Sequence, residues 1–144
     1  MFKSILLPID LSAPDSWSRA APTAIKMAHD GGVPLHVVTV IPDFGTSMVG
    51  SYFQDGYEKQ ALHDVGEKLT AWVSENVPSD VDVSPHVMHG RVYDKIIEAA
   101  DRLGTDVIVM GSHQPELSDY LLGPNAARVV RHAKQSVFVI RPEA

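Results

Sequence analysis

The sequence predicts an α/β fold: an open, doubly wound sheet of five parallel strands with helices on both faces. Five short runs rich in Ile and Val alternate with helical patterns, and three of them (ILLPI, HVVTVI and VIVM) are almost continuously apolar. Such runs are typical of strands buried on both faces, and the alternation favours parallel strands joined by right-handed crossovers. The predicted strands are Ile5–Ile9, Leu35–Ile41, Val81–Met88, Val107–Met110 and Val137–Ile140, in the order 3-2-1-4-5.

Two of these strands have the features of sheet edges. The third run alternates and contains Pro85, which cannot donate to a central ladder. The fifth, taken as Ser136–Arg141, comes last in a doubly wound order and is apolar, with no inward charge and no proline before Pro142. An edge without such blunting devices tends to be covered by another element or chain.

Four helices are predicted between the strands. The first is stopped by Gly31-Gly32, and Pro22 means that it is either kinked there or begins at about Ala21. The second runs between Ala61 and Val73, the third spans Val92–Leu103 before a Gly104 cap, and the fourth runs from about Gly123 to Ala133 with Ala126, Ala127 and Val130 inward. Trp17 and Trp72 fall on apolar helix faces, which favours core packing.

Composition excludes several classes of function. A length of 144 residues suits one domain, residues 1–144, and a formal net charge of −6 argues against a nucleic-acid partner. The absence of cysteine removes disulfides, thiolate nucleophiles and zinc–thiolate sites. No apolar run is long enough for membrane insertion and the start does not resemble a signal peptide, so we expect a cytoplasmic location.

The candidate ligand site lies where the predicted strands end. Ligands of open parallel sheets bind outside the carboxyl ends of the strands, where the strand order reverses. The groups brought there are Pro8-Ile9-Asp10, Val40 to Pro42, Met110-Gly111-Ser112-His113, and the helix start at Gly123-Pro124-Asn125. The free N–H groups of a helix start form a natural anion site, so a nucleotide or phosphate is a reasonable ligand.

The segment from Gly111 to Asn125 gives a more specific indication. It reads GSHQPELSDYLLGPN, and it resembles the loop of universal stress proteins, in which a glycine ends the fourth strand, a second follows after two residues, and Gly-Ser or Gly-Thr opens a helix about nine residues later. The resemblance extends to the opening strand (ILLPID), to the end of the second strand and to the closing segment from Val129 to Arg141. It therefore covers essentially the whole chain.

The resemblance implies ATP as ligand, or AMP or ADP, with Mg²⁺ bound through the phosphates. It assigns Pro8, Ile9 and Asp10 to the adenosine end, the backbone of Val40 to the adenine edge, Met110 and Gly111 to the ribose and phosphates, and Gly123–Asn125 to the phosphates, with Ser112, His113 and Gln114 in the same loop. The sequence departs from the family pattern at Gln114, in place of the second glycine, and at Pro124, in place of the hydroxyl. The spacing between Gln114 and Gly123 is also about one residue shorter. Asn125 and the Gln114 amide can supply substitute donors.

Several of these residues also have plain structural explanations. Asp10 can cap the turn at Ser12, and His113 is equally consistent with a phosphate contact and a solvated loop. Ser112-His113 is not a catalytic triad and no G-x-S-x-G elbow exists, so we expect no catalytic residue. His86 and His89 lie three apart on a strand, face opposite sides and cannot share a metal, and we expect no metal site.

The leading hypothesis is a nucleotide-binding stress-response or regulatory protein. The alternatives are a nucleotide-free dimerisation module and a weak ATPase, the latter disfavoured because the phosphate loops contain no lysine or arginine. The resemblance also implies a homodimer through Ser136–Arg141, with Phe138 near the two-fold axis. The long connection Pro42–Gly56, with Tyr52, Phe53 and nearby Tyr57, is a candidate flap or subunit contact.

Overall fold

All five strands of the sheet are parallel and lie in the order β3-β2-β1-β4-β5, which confirms the predicted fold. The computed structural model describes residues 1–42, 55–112 and 123–141, without the side chains of 55–58. Its strands are β1 Ile5–Pro8, β2 Leu35–Pro42, β3 Val83–Gly90, β4 Val107–Gly111 and β5 Ser136–Ile140. The connection predicted as a flap lies outside the described residues except at its ends, as do Tyr52 and Phe53.

Four helices and a short 3₁₀ turn connect the described strands. They are the turn Pro14–Ser16 and helices α1 Ala20–Gly31, α2 Asp55–Asn76, α3 Val92–Leu103 and α4 Pro124–His132. Pro22 falls in the first turn of α1, where a missing N–H breaks no helical hydrogen bond, so the predicted start at about Ala21 is confirmed in place of a kink at Pro22. Gly32 and Gly104 follow α1 and α3 in the left-handed conformation, with φ of 59° and 69°.

The sheet is buried on both faces because the helices divide between them. Ile5 and Leu7 of β1 face the cluster formed with α1 and α2, whereas Leu6 faces the cluster formed with α3 and α4. Trp17 and Trp72 meet edge to face in the first cluster, with ring centroids 5.4 Å apart, which confirms that both pack on the core. The predicted helix face is wrong for Trp17, which precedes α1 and lies in a turn. No helix in the described ranges is long and apolar enough to cross a membrane.

Two details of the sequence prediction are wrong. The inward face of α4 consists of Ala126 and Val129, whereas Ala127 and Val130 are exposed, because the helix packs towards α3 and the sheet ends at β5, leaving the outer side uncovered. The third strand begins at Val83 rather than Val81, since Val81 is a buried residue of the preceding turn. The edge position predicted from Pro85 is confirmed, because β3 pairs only with β2.

Candidate functional site

A cavity of about 290 Å³ opens at the carboxyl ends of β1, β2 and β4 and at the start of α4. It lies beside the point where the strand order reverses, between β1 and β4. Nine of the twelve predicted site residues line it: Pro8, Ile9, Asp10, Val40, Met110, Gly111, Ser112, Gly123 and Asn125. Pro124 is exposed and is not part of the lining, while His113 and Gln114 lie outside the described residues.

The sequence prediction missed several lining residues. Ser12, Ala13 and Ser16 come from the turn after β1, and Val92 and Ile96 come from α3. The turn could have been predicted from its sequence, because Ser-x-Pro-Asp-Ser directly after a strand indicates a compact polar loop at the strand end. The contribution of α3 depends on how that helix packs over the sheet, which no local pattern reveals. Together with Val38 and Met110 these α3 side chains give the cavity an apolar wall.

The turn after β1 satisfies its own polar groups. The Asp10 carboxylate accepts hydrogen bonds from the Ser12 N–H at 3.0 Å and the Ser12 hydroxyl at 2.7 Å. The Asp10 N–H in turn donates to Ser16 Oγ at 3.1 Å, and the Ala13 N–H donates to the Asp10 carbonyl. The predicted turn cap at Asp10 is therefore confirmed, and the residue also lines the cavity.

Gly111 is held by packing against this turn. A Cβ atom added there would lie 2.6 Å from the backbone oxygen of Ser16, far closer than a side chain permits. Glycine at the end of β4 thus lets the turn after β1 lie directly against the strand. This contact is a structural reason for the glycine that is independent of any ligand.

Ser112 is the most informative polar residue of the lining. It is 3% exposed, and its N–H donates to the carbonyl of Ile140 at 3.0 Å. Its hydroxyl oxygen is buried and has no hydrogen-bond partner among the described residues. Buried polar groups are rarely left unpaired, and each one costs about 1–3 kcal/mol. A ligand oxygen in the cavity is a natural partner for this hydroxyl.

The start of α4 brings backbone donors to the same side of the cavity. Gly123 precedes the helix, and the first bond within it runs from the Ala127 N–H to the Gly123 carbonyl. The N–H groups of Asn125 and Ala126, two lining residues, thus have no partner within the helix. Pro124 contributes no N–H. The helix dipole adds positive potential at this end, which favours an anion.

Formal charge in the described lining is low. Asp10 is its only ionisable side chain, and no lysine or arginine contributes to it. An anionic group bound here would be held by backbone amides, hydroxyls and the helix dipole rather than by side-chain cations. The site is suited to binding and lacks the cationic groups that usually stabilise phosphoryl transfer.

In α/β proteins with a doubly wound parallel sheet, ligands commonly bind at the switch point, where this chain has its partly apolar cavity. Residues 1–141 match the model of the universal stress protein family. The chain belongs to this family, which confirms the resemblance found in the sequence. It is 34% identical over 143 residues to universal stress protein G of Shigella flexneri, covering 98% of this chain and 100% of that protein.

Solved structures support the fold. A universal stress protein from Archaeoglobus fulgidus in complex with dAMP superposes with a TM-score of 0.68 at 20% identity, covering 96% of this chain and 98% of the other. A universal stress protein in complex with cAMP gives a TM-score of 0.63 at 20% identity, covering 99% and 98%. Some proteins of this fold therefore bind adenine nucleotides.

Proposed function

We propose that this universal stress protein binds an adenine nucleotide in the cavity and acts as a regulatory, stress-response binder. ATP with Mg²⁺ on its phosphates is the proposed ligand, with AMP or ADP in the same place. The observation that carries the proposal is the buried Ser112 hydroxyl, which has no partner among the described residues and lines the same cavity as Asn125 and Ala126 at the start of α4. The nucleotides held by two proteins of the same fold support it. A cytoplasmic location is part of the proposal.

The proposed arrangement follows the chemistry of the two sides of the cavity. The adenine lies on the apolar wall near Val38, Val40 and Met110, where its edge reaches the backbone of Val40. The ribose lies towards Pro8, Ile9 and Asp10, whose carboxylate is an acceptor for sugar hydroxyls. The phosphates lie along Gly111, Ser112 and the start of α4, and His113 and Gln114 are assigned to the same loop from the sequence.

A nucleotide-free dimerisation module is the second candidate, and specific contacts favour it. Asp10 is already bonded to Ser12, Gly111 is explained by its contact with Ser16, and Pro124 removes a helix donor. Asp10 and Gly111 therefore have structural explanations that need no nucleotide, and Pro124 leaves one donor fewer for a phosphate. Only the Ser112 hydroxyl and the remaining amides of α4 are left unexplained by such a module.

The experiment that separates the two candidates is direct. Protein purified without added nucleotide is denatured and extracted, and the extract is analysed by mass spectrometry. The same protein is then melted with and without millimolar ATP and Mg²⁺, because a ligand that binds only the folded state raises the melting temperature. If the extract contains no nucleotide and ATP does not raise the melting temperature, the dimerisation module is the function that remains.

We also propose that the chain forms a homodimer through Ser136–Arg141. Phe138 on β5 and Val130 on α4 are each 47% exposed, and β5 is an outer strand with no proline or charge along Ser136–Ile140. A second copy related by a two-fold axis covers this edge by pairing the same residues. Burial of Phe138 near the axis would account for its place on the surface of one chain.

Light scattering tests the dimer. The wild-type mass is expected near twice 15.7 kDa, and Phe138→Lys should lower it towards one chain, because a buried ammonium opposes association. Pro85→Lys, at an exposed position of the opposite edge strand, is the control and should leave the mass unchanged. A Phe138→Lys protein that remains dimeric would place the contact elsewhere.

A further inference from the structure

Two histidines that lie fifty residues apart in the sequence meet on the sheet. His36 belongs to β2 and His86 to β3, and neither is part of the cavity lining. His36 Nδ1 lies 3.0 Å from His86 Nε2, and the rings are tilted by 35° with centroids 5.1 Å apart. In the strand register His36 is opposite Ser84, so the two imidazoles approach each other diagonally across the face covered by α3.

The surroundings of both imidazoles favour their neutral form. Burial lowers the pKa of His36, although the Asp82 carboxylate acts in the opposite direction. Burial also lowers the pKa of His86, and the neighbouring His36 lowers it further. The neutral form of imidazole is the one that binds metal ions. Both side chains are half-buried, so solvent and ions still reach them.

The separation of the nitrogens is compatible with a shared metal ion. A metal bonded to two imidazole nitrogens at about 2.0–2.1 Å, with an angle of about 90–109° between the bonds, holds them about 2.9–3.4 Å apart. The observed 3.0 Å lies within that interval. An N–H···N hydrogen bond between the rings has a similar length, so the distance alone does not distinguish a shared proton from a shared metal.

We propose that His36 and His86 form a site for a borderline divalent metal ion, Zn²⁺ or Cu²⁺, bound through Nδ1 of His36 and Nε2 of His86. Imidazole pairs favour these ions over Mg²⁺, which requires oxygen ligands. Among the described residues no group of three or more His, Cys, Asp or Glu side chains is placed to hold a metal, so water completes the coordination. The ion is therefore exchangeable, and the fold does not depend on it. Asp82 favours binding by adding negative potential beside His36.

The test uses the full chain stripped of metal with a chelator. Thermal melts are recorded without metal, with 1 mM Zn²⁺ and with 1 mM Mg²⁺, and the shift is measured within each variant. Zn²⁺ is expected to raise the wild-type melting temperature by about 3 °C or more, and Mg²⁺ by much less. His36→Gln and His86→Gln should each abolish the Zn²⁺ shift. His63→Gln should retain it, because His63 is an exposed residue of α2 paired with Glu67.

A second measurement uses only wild-type protein, so it does not depend on whether the variants fold. In wild-type protein with ¹⁵N-labelled imidazoles, Zn²⁺ should move the resonances of His36 Nδ1 and His86 Nε2 and remove any proton shared between them. A Zn²⁺ shift that persists in His36→Gln, or no wild-type shift at 1 mM, would overturn the metal site. In either case the pair would be a hydrogen bond between two rings and nothing more.

Discussion

The cavity has two walls that differ in how their polar groups are satisfied. The β1 wall is the turn Asp10–Ser16, in which the Asp10 carboxylate and N–H are hydrogen-bonded to Ser12 and Ser16. The β4 wall is Gly111, Ser112 and the start of α4, where a buried hydroxyl has no partner among the described residues and the first amides have no partner within the helix. A folded chain gains nothing from an unpaired buried hydroxyl, so the proposed ligand is expected to make its main polar contacts with the β4 wall. The hydrogen bonds within the β1 wall are explained by folding without a ligand.

The largest expected effect comes from closing the β4 wall. Gly123→Val should abolish ATP-dependent stabilisation, a loss in affinity of at least about 100-fold or 2.7 kcal/mol, because its side chain fills the space in front of the α4 amides. The backbone at Gly123 has φ of −62°, which any residue adopts, so the substitution introduces no backbone strain. Thermal melts with and without ATP and Mg²⁺ measure both quantities. If ATP stabilises the Gly123→Val protein as much as the wild type, the β4 wall is not part of the ATP site.

A substitution at the contact between the two walls is expected to have the next largest effect, in this case on the stability of the protein. Gly111→Ala is expected to cost about 2 kcal/mol of unfolding free energy without ligand, because the added Cβ forces the Ser16 backbone away. Gly66→Ala is the matched control: its Cβ would lie 4.0 Å from Val87 in ordinary contact, and alanine favours the helix. Urea unfolding should show the first variant destabilised and the second unchanged or more stable. Equal stability of both would mean that the walls do not meet as described.

Ser112→Ala is expected to have opposite effects on stability and binding. Removing an unpaired buried hydroxyl should leave the ligand-free protein as stable or slightly more stable, whereas ATP should bind about five- to tenfold more weakly. Isothermal titration and urea unfolding give the two numbers, with Ser74→Ala on the exposed side of α2 as control. A destabilised variant with unchanged affinity would identify Ser112 as a purely structural residue.

The smallest expected effect is an increase in ATP affinity. Pro124→Ser returns an N–H and a hydroxyl to the start of α4, and ATP affinity should rise by about 1 kcal/mol, or roughly fivefold, if these donors limit phosphate binding. Titration with ATP and Mg²⁺ measures it. Unchanged affinity would mean that Ser112, Asn125 and the neighbouring amides already complete the β4 wall.

Local patterns in the sequence were sufficient to predict the sheet and the place of the cavity, because parallel strands bring their carboxyl ends to one edge. They were insufficient where packing decides. The contact of Gly111 with Ser16 depends on how a turn folds back on a strand ninety-five residues later. The inward face of α4 was misassigned because its paired apolar residues fit two helix faces equally well. The His36–His86 pair was missed because it depends on the register between β2 and β3.

The pairing of the only two tryptophans gives the molecule an internal optical probe. Trp17 and Trp72 lie edge to face in the core, and Trp17 directly follows Ser16, a cavity-lining residue bonded to Asp10. All tryptophan emission therefore comes from one pair of rings, in which Trp72 is buried and Trp17 is half-buried. Trp17 is joined to Ser16 of the β1 wall by one peptide bond. Unfolding separates the rings and shifts the emission to longer wavelength, while any ligand that moves this turn changes the intensity of a still-folded protein. Occupancy of the cavity and stability of the core can thus be followed in one unlabelled sample.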